Sequence, residues 1–200
     1  MSENLFSIRN QAGPLADDMF VKRWSPRSMV KGEVPDQDLL KMIDAARWSP
    51  SCFNDQPWHF VFSTDATYDL FLDLLVDANK LWCKNASRIG FVLARKNFMH
   101  SGENNFFAHF DTGAAWMAFV HQAYALGYVM HGLGGIHKDK VIEVLQVEPN
   151  QFDVMCGIVI GKLGPKDHLP AQLQEREKPN ARKSLHEMYN LNQMNDTTKL

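Results

Sequence analysis

The sequence predicts an α+β fold, a small central mixed sheet flanked by helices. Three observations carry that expectation. Several stretches repeat apolar residues at helical spacing, and short apolar runs suited to strands lie between them. The two kinds of stretch follow one another without the regular βαβ beat of a doubly wound sheet. A chain of 200 residues can bury one sizeable core and would struggle to fill two, so one domain over 1–200 is expected. A polar leader over about 1–14 and a polar C-terminal arm over about 181–200 flank it. The arm is too polar to fold alone and either frays or wraps a partner.

Residues 15–24 form a first short helix through Leu15, Met19, Phe20 and Trp24. Pro35 and Asp36 start a second, in which Leu39, Leu40, Ile43 and Ala46 share a face and Pro50 marks the stop. PWHFVFS alternates Trp58, Phe60 and Phe62 with His59 and Val61, a strand pattern that makes PSCFNDQ the loop before it. Residues 66 to about 80 read as one helix, IGFVLAR as a buried strand, and 96–105 as a polar loop. From Phe106 to Leu126 the chain is apolar nearly all round, which predicts a central helix ending at Gly127. YVMHGLGGI gives a strand and a glycine-rich turn; HKDKVIEVLQV gives an amphipathic helix and VMCGIVIGKLG a last apolar strand.

The formal net charge of −2 leaves no basic footprint for a phosphate backbone, so nucleic acid is not an expected partner. No apolar run approaches the ~20 residues that span a bilayer, and no basic start precedes an apolar stretch, so the expectation is a cytoplasmic protein with no membrane partner. Cys52, Cys83 and Cys156 are far apart and lack a CxxC spacing, which fits reduced thiols. The eight histidines form no HExxH pair or ligand-spaced cluster, so no metal site is expected.

Four segments carry residue types suited to a ligand: RWSPR at 23–27, SPSCFNDQPW at 49–58, GLGG at 132–135 and RKSLHE at 182–187. Singly, each has a plain structural reading. Arginines such as Arg23 and Arg27 are usually solvated, Asn54 and Gln56 beside a proline usually satisfy a turn, and Gly134–Gly135 usually mark a bend. GLGG lacks the GxGxxG spacing of a dinucleotide fingerprint.

Taken together, in this order, the segments resemble the nitroreductase family of FMN enzymes. The resemblance runs through Arg23-x-Ser25-x-Arg27, the helix ending in AARWSPS, the NDQPW form of an N-x-Q-P-W signature, and Asn79. It continues through DTGAAWMA, the Gly-Gly turn and Arg182 in R-K-x-L-x-E. It implies a nitroreductase-like fold and a homodimer whose two chains build each flavin site, the C-terminal arm reaching the partner subunit. Arg23 and Arg182 would bind the dianionic FMN phosphate through paired charge-assisted hydrogen bonds, with Ser25 assisting the phosphate or ribityl chain. Ser51 and Asn54 offer neutral hydrogen bonds to the ribityl hydroxyls and the flavin's polar edge. Arg27 and Asn79 would face the pyrimidine end, where positive charge favours the reduced flavin. Leu133 would lie against the ring, and the Gly134–Gly135 backbone would approach N5 because no side chain blocks it.

Cys52 departs from the resemblance, standing where many relatives have a second serine. No charged neighbour in sequence argues for a depressed thiol pKa, so packing is its expected role. His131 is read as structural, and Phe98, Phe106 and Phe107 flank a possible substrate pocket. The implied activity is ping-pong transfer of electrons from NADH or NADPH through flavin N5 to an acceptor such as a nitroaromatic or quinone. The flavin carries the chemistry, so no catalytic side chain is expected. Two alternatives remain open: a flavin carrier or sensor without nicotinamide turnover, and a specialised flavin reaction such as reductive dehalogenation.

Overall fold

The computed structural model describes residues 3–194. In chain order they form α1 (Ser7–Asn10), α2 (Asp18–Lys22), β1 (Met29–Val30), α3 (Asp36–Arg47), β2 (Trp58–Phe62), α4 (Tyr68–Asp73), α5 (Asp77–Cys83) and β3 (Arg88–Arg95). Then come α6 (Ala108–Ala125), β4 (Val129–Leu133), α7 (Lys138–Val144), β5 (Phe152–Leu163) and α8 (Ala171–Gln174). Residues 195–200 of the expected arm lie outside the described residues. No helix among the described residues is long and apolar enough to cross a membrane.

The expected small sheet with flanking helices is present, but its strands pair antiparallel throughout rather than as a mixed sheet. Strand β5 is the hub: Ile160 pairs with Arg88 of β3 and with Met130 of β4, and β2 extends the sheet beyond β3. Strand alternation divides the core in two. Ile89, Phe91, Leu93 and Val159 face one cluster with Phe71, Leu75, Trp82 and Val141 from α4, α5, α7 and the segment between the first two. Val92, Ile158 and Ile160 face the other, with Met42 and Ala46 of α3 and Ala115, Phe119 and Ala123 of α6. Helix α3 keeps its expected bounds: Asp36 and Asp38 sit in its first turn and Arg47 in its last, matching the helix dipole.

Three helix expectations need correction. The helix expected over 15–24 is only the single turn Asp18–Lys22, because Arg23 is already extended. The single helix over 66–80 is two, because Val76 adopts an extended conformation (φ −65°, ψ 151°) and donates its N–H to Gly135 O at 3.1 Å. Leu75 forms a bridge with Ile136 at the same place. A tertiary pairing has overridden local helix propensity, and it sets the start of α5 against the glycine turn. The helix expected to be central buries only one face. Ala108, Asp111, Thr112, Ala115 and Phe119 are buried, whereas Phe106, Phe107 and Phe110 are exposed, Phe110 to 79%.

The segment expected as a leader carries a 3-10 turn (Glu3–Phe6) and α1, with Phe6 and Arg9 buried. At the other end, a capping box between Ser184 and Glu187 shapes the turn Leu185–Glu187.

Candidate functional site

Helix α2 stops at Arg23, whose extended backbone (φ −68°, ψ 125°) starts the loop that leads through Ser25, Pro26 and Arg27 to β1. Arg23 Nη1 donates to Ser25 Oγ at 3.3 Å. Beside this loop lies a cavity of about 220 Å3, lined by Arg9, Arg23, Arg27, Arg176, Lys178 and Arg182 together with Trp24, Ser25, His131 and Asn180. Six cations converge on one small polar space. Burial, then the neighbouring Arg182 and Arg23, pulls the Arg9 pKa below its ordinary value, and burial followed by Arg182 lowers that of Arg23. Such mutual repulsion is relieved by a compact anion carrying more than one charge.

The wall of the cavity continues into an aromatic cluster. Arg27 lies over the Trp82 ring, 5.9 Å from its centroid, and the His131 ring is 5.0 Å from the same indole. His131 Nδ1 is 3.1 Å from Pro26 O, so the ring donates there. Burial, with Arg27 adding to it, lowers the His131 pKa despite the opposing pull of the Pro26 carbonyl.

Trp82 follows Asn79 by one turn of α5, and Asn79 meets the glycine turn. Asn79 Nδ2 donates to Gly135 O at 3.0 Å. A Cβ on Gly135 would fall 2.7 Å from Asn79 Nδ2 and 2.7 Å from Val76 Cγ2, so glycine is demanded by close approach. The N–H of Gly135 has no acceptor among the described residues. Gly134 is exposed, and an added Cβ there would meet nothing within 4 Å. Leu133, by contrast, is 2% exposed, and its side chain packs in the core beneath the turn.

Ser51, Cys52 and Asn54 are held on a different loop, and none of them lines the cationic cavity. Cys52 N–H donates to Asp111 Oδ2 at 2.9 Å, and Ser51 Oγ accepts from Gln56 N–H at 3.0 Å. Asp55 anchors the loop from beneath, accepting from Arg95 Nη2 at 3.0 Å, Asn105 Nδ2 at 3.3 Å and Met99 N–H at 2.9 Å. Phe53, Asn54 and Gln56 have φ of 53°, 56° and 49°. Three left-handed residues without a glycine are costly, and these anchors hold them there. Phe53 projects outward against Phe98 and His100, with ring centroids 5.7 and 5.6 Å away.

The structure therefore brings Arg23, Ser25, Arg27 and Arg182 together, joins Asn79 to Gly135, and keeps Ser51, Cys52 and Asn54 apart from both. Sequence reasoning missed Arg9, Trp82, Arg176 and Lys178. None sits in a recognisable motif, although the density of cations over 176–182 was a readable signal. The three cysteines are unpaired, and burial raises the Cys83 thiol and pushes that of Cys156 up to about 11. No cluster of three or more His, Cys, Asp or Glu able to hold a metal ion occurs among the described residues.

Comparison with known proteins finds a match to the nitroreductase family model over residues 21–80. An oxidoreductase containing FMN is 38% identical, with a TM-score of 0.87 over 92% of this chain and 94% of that one. A Desulfovibrio desulfuricans structure in complex with FMN is 22% identical, with a TM-score of 0.67 over 86% of this chain and 92% of the other. A nitroreductase family protein from Streptococcus pneumoniae TIGR4 is 18% identical, with a TM-score of 0.70 over 86% and 98%. The last two likenesses speak to the fold alone. No curated protein matches the chain.

Proposed function

The chain belongs to the nitroreductase family, and from that premise we propose that it is an FMN-dependent oxidoreductase, taking electrons from NADH or NADPH and passing them to a small acceptor such as a nitroaromatic or quinone. The observation that carries this reading is the cationic cavity, joined through Trp82 to the Asn79–Gly135 contact. Its cations suit the dianionic end of FMN, and the exposed glycine turn suits its flat end. Bound FMN supplies a two-electron carrier that accepts and returns hydride at N5.

This chain's residues then have distinct tasks. Arg23 and Arg182 hold the phosphate by charge-assisted hydrogen bonds, and Ser25 adds a neutral one. Arg27, steadied over Trp82, and Asn79 face the pyrimidine edge, where a cation stabilises negative charge that develops on reduction. The unengaged Gly135 N–H is a donor toward N5, with Gly134 keeping the approach open. Ser51, Cys52 and Asn54 serve the flavin held mainly by a second copy of the chain, which accounts for their separation from the cavity. Cys52 contributes its backbone position, fixed by Asp111, more than its thiol.

A homodimer follows. The exposed side of α6 presents Phe110 and Met117 with Gly113 between them, and an added Cβ at Gly113 would meet nothing within 4 Å. A contiguous apolar face with a small residue at its centre suits close approach by another subunit. Unpaired cysteines fit a cytoplasmic location.

Anaerobic mixing with NADH and NADPH tests the reading. Purified protein should carry, or take up, FMN and lose the oxidised flavin absorbance on addition of at least one donor. Protein that stays colourless after FMN is added sinks the flavin assignment. A flavin band that persists with both donors makes the protein a binder without nicotinamide turnover.

A further inference from the structure

Two buried side chains of opposite charge, from opposite ends of the chain, grip the loop that carries Arg23, Ser25 and Arg27. Arg9 is 8% exposed and Glu177 is 7% exposed. Arg9 Nη1 donates to the carbonyls of Val21 at 2.5 Å and Arg23 at 2.8 Å, and its Nε donates to Asn180 O at 3.0 Å. Glu177 Oε1 accepts from Arg27 N–H, Ser28 N–H and Ser28 Oγ, each at 2.8 Å. One charge takes carbonyls before the loop and the other takes amides after it. They do not pair with each other, and Glu177 Oε2 is buried with no partner among the described residues.

Burying charge in this way is costly unless the charge fixes something. Here each ion fixes backbone. Arg9 also ties the loop to Asn180, two residues before Arg182, so that both arms of the cationic cavity are referred to one guanidinium. Side chains meant to meet a phosphate act best when their backbone is ordered before the ligand arrives.

We propose that Arg9 and Glu177 are positioning residues: they preorganise loop 21–28 and the Arg182 segment, and so set the preference of the site for a phosphorylated flavin over an unphosphorylated one. The proposal rests on the FMN reading above. It assigns the two ends of the chain a role in the site that neither motif nor spacing discloses.

The test is fluorescence titration of flavin-free protein with FMN and with riboflavin, for wild type, Arg9→Lys, Glu177→Gln and Glu177→Leu. Wild type should bind FMN far more tightly than riboflavin. Arg9→Lys keeps the charge but cannot fork to three carbonyls, and Glu177→Leu removes the acceptor. Each should reduce the FMN-over-riboflavin preference by about tenfold or more. Glu177→Gln retains a carbonyl oxygen for the same donors and should stay within about threefold of wild type.

Equal weakening of both flavins, with the preference intact, means a merely structural role and overturns the proposal. So does a preference unchanged in Arg9→Lys, which would make Arg9 only a charge. Tighter FMN binding in both Glu177 variants would make Glu177 only a repelling charge, and likewise overturns it. If Glu177→Leu does not fold, Arg9→Lys decides. Wild type that binds neither flavin is a separate failure, of the FMN reading, and removes this proposal with it.

Discussion

Asn79 and Gly135 are locked together: the asparagine Nδ2 donates to the glycine carbonyl at 3.0 Å and lies 2.7 Å from where a Cβ on that glycine would stand. The two residues come from α5 and from the turn after β4, so one hydrogen bond holds two walls of the site in register. Gly135→Ala should displace Asn79 and Val76, at a cost of about 1–3 kcal/mol, and weaken FMN binding by about tenfold or more in fluorescence titration. Adding Asn79→Ala should recover only part of the stability and none of the FMN binding, because Val76 still obstructs and the bond to Gly135 is lost. Full recovery of stability would mean that Val76 yields freely.

Asp111 offers a second prediction, on the 51–56 loop. It is 4% exposed, and its Oδ2 accepts the Cys52 N–H at 2.9 Å. Asp111→Ala leaves that donor without an acceptor and should cost about 1–3 kcal/mol in chemical denaturation, whereas Asp111→Asn, which keeps an oxygen, should cost less. Equal losses would show that charge, not the acceptor, matters at this position.

His121 sets a pH dependence. Both its ring nitrogens are buried without a partner among the described residues, and burial, then Arg23, lowers its pKa. His131 is lowered as well. A histidine whose folded pKa lies below the unfolded value of about 6.5 takes up its proton first in the unfolded chain. Stability is therefore full above about pH 6.5 and is lost as pH falls below it. His121→Leu should flatten that slope and, by removing unsatisfied polar atoms, raise the melting temperature by about 2–4 °C for each kcal/mol gained. Melting curves between pH 5 and pH 8 (about 1.5 units either side of the free histidine value) read both effects. An unchanged slope would count against His121 as its source.

The exposed side of α6 provides the last test. Phe110→Glu places a charge in the apolar face and should shift sedimentation from dimer to monomer without unfolding the chain, since Phe110 lies outside the core. The monomer should bind flavin weakly, because Ser51 and Asn54 would no longer complete a site. A dimer that persists would put the interface elsewhere.

Much of the fold could be read locally. Alternation marked β2, Pro35 with its following aspartates marked α3, and the run IGFVLAR marked β3 almost to the residue. The break at Val76 could not be read, since it depends on the pairing of Leu75 with Ile136. Nor could the exposure of Phe110, because an all-round apolar pattern does not tell which side of a helix the core will cover.

The same division runs through the site. Residue type and order determined the chemistry of Arg23, Ser25, Arg27 and Arg182, because a guanidinium or a hydroxyl offers the same hydrogen-bonding groups wherever it lies. Only tertiary structure decided that Arg9 and Glu177 belong with them. Arg9 finds Asn180 across 171 positions, and Glu177 finds Ser28 across 149. No sequence pattern announces such a contact: it depends on where the folded backbone leaves carbonyls and amides that water cannot reach, and on which distant charge is carried to them.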